Sequence, residues 1–351
     1  MTQQSDAQNN QATLTNAVND LVQQIDYERE RVVISHRFGI NYTRSTLEQV
    51  GDELGVTRER VRQIEKSTLL KLKLLLEDNP SESFVKAEQL IVSTLYELGR
   101  SSTSEHLADK LTNTDQANTI AMITLIAEVS NKITTITENS NYYAGLVLSN
   151  NASEREVRSE IDRLVGVLKQ VGEPLPADQL FAKIGGSYEH PTEVTAMLSI
   201  SKKVANLYGI WGLATWPLVN PRNIRDKIYV ILRHYDKPLH FSKIAESVKK
   251  QNFRRNNITD QAIHNELIRD KRFVLIGRGI YALAERGFKS GSIAEVITEL
   301  LQKNGAMDRE DIVRQVLKVR KVREATVLLN LQSKPQFKRT GNAKYQLVQT
   351  H

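Results

Sequence analysis

Between Leu54 and Glu65 the chain reads LGVTRERVRQIE, which gathers Arg58, Glu59, Arg60, Arg62 and Gln63 into six consecutive positions. These are the side chains that read base edges. An arginine fork grips O6 and N7 of guanine, a glutamate accepts from N4 of cytosine, and a glutamine pairs with adenine. On a helix beginning at Thr57, residues Val61, Ile64, Thr68 and Leu72 form one inward stripe at spacings of three and four. Arg58, Glu59, Arg62, Gln63 and Lys66 then fall on the opposite face, concentrated in the first turns, the part of a recognition helix nearest the bases. The plain alternative is a solvated charged face in which Arg58–Arg62 and Glu59–Gln63 only fill surface.

A reading helix needs a frame to hold it. The preceding STLEQVGDELGV places Leu47, Val50 and Leu54 on one face, and Ser45 and Glu48 have the spacing of a capping box. Gly55 is suited to the positive φ that ends a helix, and Thr57 to the N-cap of the next. Val56 can staple onto Val61 across the cap. The pattern predicts helix, glycine turn, helix: a helix-turn-helix. Upstream, LVQQIDYERERVVISHRFGI has helical periodicity, whereas MTQQSDAQNNQATLTN is polar and lacks it, so residues 1–20 read as a disordered lead-in.

Beyond Pro80 the chain repeats itself. First-helix ends read TLYELGRSS, VLKQVGEPL, ILRHYDKPL and LLQKNGAMD, anchored by Leu95, Leu168, Leu232 and Leu301. Each is followed by an apolar pair in a second helix: Leu107-Ala108, Leu180-Phe181, Ile244-Ala245 and Ile312-Val313. The closing strands are NYYAGLVL, YGIWGLATW, GRGIYALAE and GNAKYQLV, in which Tyr143, Trp211, Tyr281 and Tyr345 read as equivalent aromatics packing in the core or wing. Such units suit a domain of three helices and a β wing, joined by linkers rich in Pro, Gly, Asn and Ser. The expected fold is therefore mainly α with small β wings (α+β): a helix-turn-helix module at 21–78, then four winged-helix repeats at 84–149, 153–217, 221–286 and 291–349. Cores this thin favour packing between neighbouring units.

Composition narrows the function. The chain has 351 residues, 40% hydrophobic and 25% charged, with no cysteine, which excludes disulfides and thiolate metal sites. No apolar run approaches the ~20 residues of a membrane span. Seven histidines form no HExxH, and no phosphate-cradling glycine loop or GxSxG occurs. The expectation is a protein without enzymatic activity, cofactor, metal, small-molecule substrate or membrane partner. Charge is uneven. Residues 1–219 carry 21 Lys+Arg against 28 Asp+Glu, and residues 220–351 carry 27 against 13, which points to a polyanion partner for the C-terminal part.

From Asp26 to Leu76, the run RERVVISHRFGI…STLEQVGDELGVTRERVRQIEKSTLLKLK resembles region 4 of bacterial primary-type sigma factors. The resemblance implies that the second helix lies in the major groove of a −35 promoter element and that the module docks on RNA polymerase core. It implies base reading by Arg58, Glu59 and Gln63, and phosphate contact from Thr57, Arg60, Arg62 and Lys66. The family usually has a basic residue in the turn after RQIE; here only Lys66 precedes Lys71. About 25 residues precede the match, too few for a −10-melting domain, so a free-standing promoter-opening factor is not expected. The third repeat, IRDKIYVILRHYDKPLHFSKIAESVKK…RFVLIGRGIYAL, resembles a HARE-type winged helix, as in the polymerase delta subunit; the second repeat resembles it more weakly.

A secondary basic patch is expected at Lys249, Lys250, Arg254 and Arg255, with Phe253 among them, and at Lys318, Arg320, Lys321 and Arg323 in the fourth repeat. Such clusters suit phosphates; the alternatives are a solubilising loop, RNA, or an acidic polymerase surface. The resulting expectation is a transcription regulator of double-stranded DNA, cytoplasmic and nucleoid-associated, in contact with polymerase core. The rival is a protein-interaction adaptor that binds polymerase or a sigma antagonist without reading DNA. A remoter class is a DNA module of a restriction system, for which no carboxylate-lysine constellation is present.

Overall fold

The computed structural model describes residues 2–112, 116–149, 152–184, 188–251, 253, 258–288, 291–341 and 343–348. They divide into two compact units, Met1–Val219 and Asn220–His351. The fold is mainly helical with four small antiparallel sheets of three strands each.

The first unit opens with α1 (Thr2–Gln23), where a disordered lead-in is expected from the sequence. The correction has a physical reason. A thin stripe of Ala7, Leu14, Ala17, Val18 and Leu21 is fully or almost fully buried, on a helix otherwise polar. A helix of this composition is marginal alone and is stabilised by tertiary packing. Its partners here are α5 and α7, defined below. Polar groups add register: Asn10 donates to the Leu111 carbonyl at 3.0 Å, and Thr119 donates to the Gln11 side-chain oxygen at 3.2 Å.

Next come α2 (Glu28–Phe38), α3 (Leu47–Leu54) and α4 (Arg58–Asp78). The N-cap of α3 is Thr46, whose capping box is closed by Gln49, one residue beyond the expected Ser45–Glu48 pair. Gly55 has φ 62° and ends α3, and the Thr57 hydroxyl accepts from the Arg60 amide at 3.2 Å to begin α4. The turn is tight enough that a Cβ on Gly51 would lie 2.6 Å from the Val56 carbonyl oxygen. Val33, Val50, Val61 and Ile64 form the small core of this helix-turn-helix, with Leu47, Leu54 and Val56 packed against it.

Four times the chain then runs helix, short strand, helix, helix, hairpin, the order of a winged helix. The first pass is α5 (Glu82–Glu97), β1 (Ser101–Thr103), α6 (Ser104–Leu111), α7 (Gln116–Val129), β2 (Ile133–Ile136) and β3 (Gly145–Leu148). The second is α8 (Glu154–Val171), β4 (Leu175–Pro176), α9 (Ala177–Ile184), α10 (Pro191–Ser199), β5 (Val204–Leu207) and β6 (Ile210–Leu213). In the second unit follow α11 (Ile224–Tyr235), β7 (Leu239–His240), α12 (Phe241–Lys250), α13 (Asp260–Arg269), β8 (Phe273–Gly277) and β9 (Ile280–Leu283). The last pass is α14 (Ile293–Asn304), β10 (Met307–Asp308), α15 (Arg309–Val319), α16 (Glu324–Ser333), β11 (Phe337–Thr340) and β12 (Lys344–Leu347). In every sheet the closing strand is central. Leu95, Leu168, Leu232 and Leu301 are all buried.

Strand register corrects the aromatic equivalence. Trp211, Tyr281 and Tyr345 each face the first residue of the short strand (Leu175, Leu239 and Met307), two positions before the next helix. In the first repeat that place is opposite Ser102 and is held by Leu146, not Tyr143. Tyr281 and Tyr345 are buried, whereas Tyr143 is exposed under the Lys202 ammonium, 5.0 Å from its ring centroid.

The third helices of the two repeats in the first unit are covered. α7 is apolar on all sides, with Ala121, Met122, Ile123, Leu125, Ile126 and Val129 buried, as such a helix must be. It packs on α1, α2, α4, α5 and α6. α10 lies on β1, where a Cβ on Gly99 would meet the Thr192 carbonyl oxygen at 2.6 Å. The first two repeats also exchange backbone hydrogen bonds, Tyr143 N–H to Ile200 at 2.9 Å and Lys202 N–H to Asn141 at 2.8 Å. Ile136, Tyr142, Val147, Val157, Ile161 and Ile200 form the apolar core of that joint. The Tyr142 hydroxyl donates to Asp162 at 2.6 Å; burial and this bond push its pKa up to about 12, so it stays a donor.

One carboxyl on α7 makes the first unit sensitive to pH. Burial raises the pKa of Glu128 above the usual carboxylate range, against the opposing hydrogen bond from Thr135. A raised folded-state pKa means that the protonated form is the better fit to the fold, so this group stabilises at acid pH and loses that contribution as pH rises through its folded pKa. Glu128→Gln keeps the Thr135 bond and removes the charge. Its urea midpoint is expected to exceed that of the parent at pH 8, with the gap closing towards pH 4. A gap independent of pH would show that Glu128 is not held protonation-sensitive by burial.

Candidate nucleic-acid interface

The candidate face is carried by α4, which α3 holds in place. Along α4, Val61, Ile64, Thr68, Leu72 and Leu76 point inward and are buried, while Thr57, Arg58, Glu59, Arg60, Arg62, Gln63 and Lys66 are exposed. The inner side of α4 is held at both ends. Val61 and Ile64 pack into the helix-turn-helix core, and Leu72 and Leu76 join the large core of α1, α5, α6 and α7. Arg58, Glu59 and Gln63 are thereby displayed together on a rigid support. Two side-chain links tie the display. Arg62 grips Glu59 with bonds of 2.9 and 2.7 Å, and Arg60 donates to Gln63 at 3.4 Å. The Arg62 hydrogen bond holds the Glu59 carboxyl below its ordinary range and raises Arg62. Both side chains are 57% exposed, and an exposed pair of this kind is cheap to rearrange when a base competes for it.

Beside this face lies a cleft of about 460 Å³, lined by Arg37, Arg44, Ser45, Thr46, Leu47, Glu48 and Arg58. Arg37 and Arg44 are not among the residues singled out from sequence. Arg37 is fixed by Glu65 at 2.8 Å and the Ser45 carbonyl at 2.6 Å. Their proximity to Arg58 follows from the α2–α3 loop folding back on α4, which no periodicity in the sequence reveals. Three guanidiniums around one cleft suit phosphate or another anion. Lys71, by contrast, is turned to Glu30 at 2.8 Å and the Tyr27 ring.

The second apolar side of the module, Ile34, Ile40, Leu72 and Leu76 with Phe38 and Leu69, is closed by α1, α5 and α7. The C-terminal half of α4 still presents Leu70, Leu74 and Leu75 to solvent, at 57, 54 and 44% exposure.

The expected secondary patch separates. Lys249 is exposed and paired with Asp260 at 2.7 Å, Lys250 is exposed, and Arg254 and Arg255 lie outside the described residues. Phe253 is buried, with the Lys227 ammonium 5.4 Å from its ring centroid, so it offers no stacking surface. In the fourth repeat Lys318, Lys321 and Arg323 are exposed, whereas Arg320 is half-buried and donates to the Leu275 carbonyl at 2.6 Å. Among the described residues no cluster of His, Asp or Glu could hold a metal ion, and no helix is long and apolar enough to cross a membrane.

A helix-turn-helix whose second helix carries arginine, glutamate and glutamine outward presents the side-chain types that can reach base edges in a major groove. Residues 27–74 match the family model of sigma-70, region 4. Similar proteins include the RNA polymerase principal sigma factor HrdD of Streptomyces viridifaciens, 48% identical over 62 residues, which is 17% of this chain and 18% of that protein. The RNA polymerase sigma factor RpoD of Helicobacter pylori is 58% identical over 48 residues, 13% of this chain and 7% of that protein. The RNA polymerase sigma factor sigB of Arabidopsis thaliana is 44% identical over 61 residues, 17% and 11% of the two chains. The chain thus holds a sigma-70 region 4 domain and spans a fifth or less of the length of these relatives.

Proposed function

We propose that this protein is a non-enzymatic transcription regulator whose region 4 domain reads −35-like promoter DNA, docks on RNA polymerase, or both. The observation that carries the reading is the joint exposure of Arg58, Glu59 and Gln63 on a helix braced by two cores. Arg58, Glu59 and Gln63 read bases; Thr57, Arg60, Arg62 and Lys66, with Arg37 and Arg44 in the adjoining cleft, hold phosphates. The modules run 21–78, 84–149, 153–217, 221–286 and 291–349. The third and, more weakly, the second repeat are HARE-type, and the winged helices add contacts to DNA or to the transcription complex. The protein works in the cytoplasm on the nucleoid, without cofactor or small-molecule substrate.

The test is selection of bound sites from random duplexes, run with and without polymerase core. An enriched −35-like hexamer is the expected outcome; no enrichment in either arm would overturn base reading. The adaptor reading is favoured by one observation, the exposed Leu70, Leu74 and Leu75 on the far half of α4, a surface suited to a protein partner. Capture of polymerase core without protection of any duplex would favour it.

A further inference from the structure

The basic segment of the fourth repeat does not stand alone. It is laid along the sheet of the third. In that sheet the strand order is β7-β9-β8, so β8 is an edge whose outer backbone groups need a partner. The pairing of β8 with β9 slips between Leu275 and Gly277, which leaves Ile276 as the extra residue of a bulge. The freed groups are taken by residues 320 and 321. The Lys321 N–H donates to the Ile276 carbonyl at 3.0 Å, and the Arg320 guanidinium to the Leu275 carbonyl at 2.6 Å. Gly277 allows the approach, since a Cβ there would stand 2.8 Å from the Lys321 carbonyl oxygen. Arg278, exposed at the tip of the wing, is the next residue.

The consequence is a composite cationic surface. Lys318, Lys321 and Arg323 are exposed on a segment fixed by its own backbone to the wing that carries Arg278. No acidic residue occurs within 318–323 or 275–280. The next one, Glu324, sits in the first turn of α16, where the helix dipole favours it. Part of the C-terminal excess of positive charge is thus held in a fixed arrangement.

We propose that this joint between the third and fourth repeats is a second nucleic-acid site, which grips the phosphate backbone of duplex DNA through Lys318, Lys321, Arg323 and Arg278. Duplex is favoured over single strands because a single-strand site stacks bases on exposed aromatics. Here the aromatics of the two sheets, Phe273, Tyr281, Phe337 and Tyr345, are all buried. The inference deepens the reading of the winged helices as DNA contacts and names which residues make them. Arg320 serves as the clasp, its guanidinium being committed to β8.

The test uses the full chain and titrates binding of a random-sequence DNA duplex against salt. Lys318→Gln, Lys321→Gln and Arg323→Gln together are expected to reduce the slope of log affinity on log salt by about 2–3, since each neutralised phosphate contributes about 0.9. Gly277→Ala leaves every charge in place but pushes the Lys321 carbonyl off β8, and should reproduce much of that loss. If Gly277→Ala unfolds the second unit, Arg320→Met removes one clasp bond instead. An unchanged slope in the triple variant overturns the proposal, as does normal binding by a folded Gly277→Ala chain with the segment displaced. Equal or tighter binding of RNA duplex or single strands would assign the surface to a different partner and overturn it as well. Repeating the series with Arg58→Ala and Gln63→Ala separates the two sites. Loss of slope in that background with no change in site preference from Arg58 or Gln63 would sink base reading and leave this site standing.

Discussion

A duplex carrying the preferred site is expected to bind ~1–3 kcal/mol more weakly to Arg58→Ala than to the parent, with a similar loss for Gln63→Ala. Both residues are exposed on the first two turns of α4, and both could present hydrogen-bonding groups to base edges without moving the helix. Truncation leaves the fold intact, because the structural side of the helix is the opposite one, Val61 to Leu76. The mark of base reading is the pattern of loss. Arg58→Ala should flatten the preference at one base pair and leave the others, and Gln63→Ala should do so at a different pair. Lys66→Ala, at a proposed phosphate contact in the same helix, should weaken all duplexes alike. Titrations against the selected site and its single-base variants check this. Uniform losses for all three variants would reduce the helix to a phosphate grip. Glu59→Ala is a softer test, since it also releases Arg62 from its 2.7 Å bond and adds net positive charge towards the DNA.

The second large effect is on stability. Leu21→Ala in α1 is expected to lower the unfolding free energy of the first unit by about 2–5 kcal/mol, the range for deleting a buried leucine side chain. Leu21 is fully buried in the core that also holds Leu72 and Leu76 of the reading helix. Asn16→Ala, on the exposed side of the same helix, should change stability by no more than about 0.5 kcal/mol. Urea unfolding followed by far-ultraviolet dichroism measures both. Similar midpoints for Leu21→Ala and the parent would mean that α1 is an appendage. A loss of the expected size should also weaken duplex binding, because α1 supports α7, which packs on α4, and Leu21 shares one core with Leu72 and Leu76.

These outcomes divide along a line that the residues make visible. The cap at Thr57, the turn at Gly55 and the stripe from Val61 to Leu72 are local: each depends on neighbours within a turn or two, and each lies where spacing alone places it. The exposure of Arg58, Glu59 and Gln63 follows from the same periodicity. So does the four-fold order of three helices and a β wing, because one plan recurs in the sequence; the short strand between the first and second helix of each repeat emerges only by pairing with the wing. Even locally the resolution is finite. The cap of α3 is Thr46 rather than Ser45, two residues that differ little in cap chemistry and are told apart by which hydroxyl the Gln49 amide reaches.

What no local pattern carries is which faces meet. The stripe of α1 is too sparse to distinguish from a polar tail until α5 and α7 supply its other half. Tyr143 of the first repeat falls out of line with the other three aromatics because register across a sheet is set by pairing with β1, not by distance from a motif. The basic run at 318–323 reads as a loop in its own repeat and becomes, in the fold, a strip bonded to the edge of β8. The amino-acid order alone determined the helix-turn-helix, the cap at Thr57, the three helices and wing of each repeat and the outward face of α4, since those energies are made between residues close along the chain. Tertiary structure decided that the third helices α7 and α10 are covered, that Arg37 and Arg44 adjoin Arg58, and that two repeats share one cationic edge. Those contacts join residues tens of positions apart, and only the packing of whole apolar faces and unpaired strand edges selects among them.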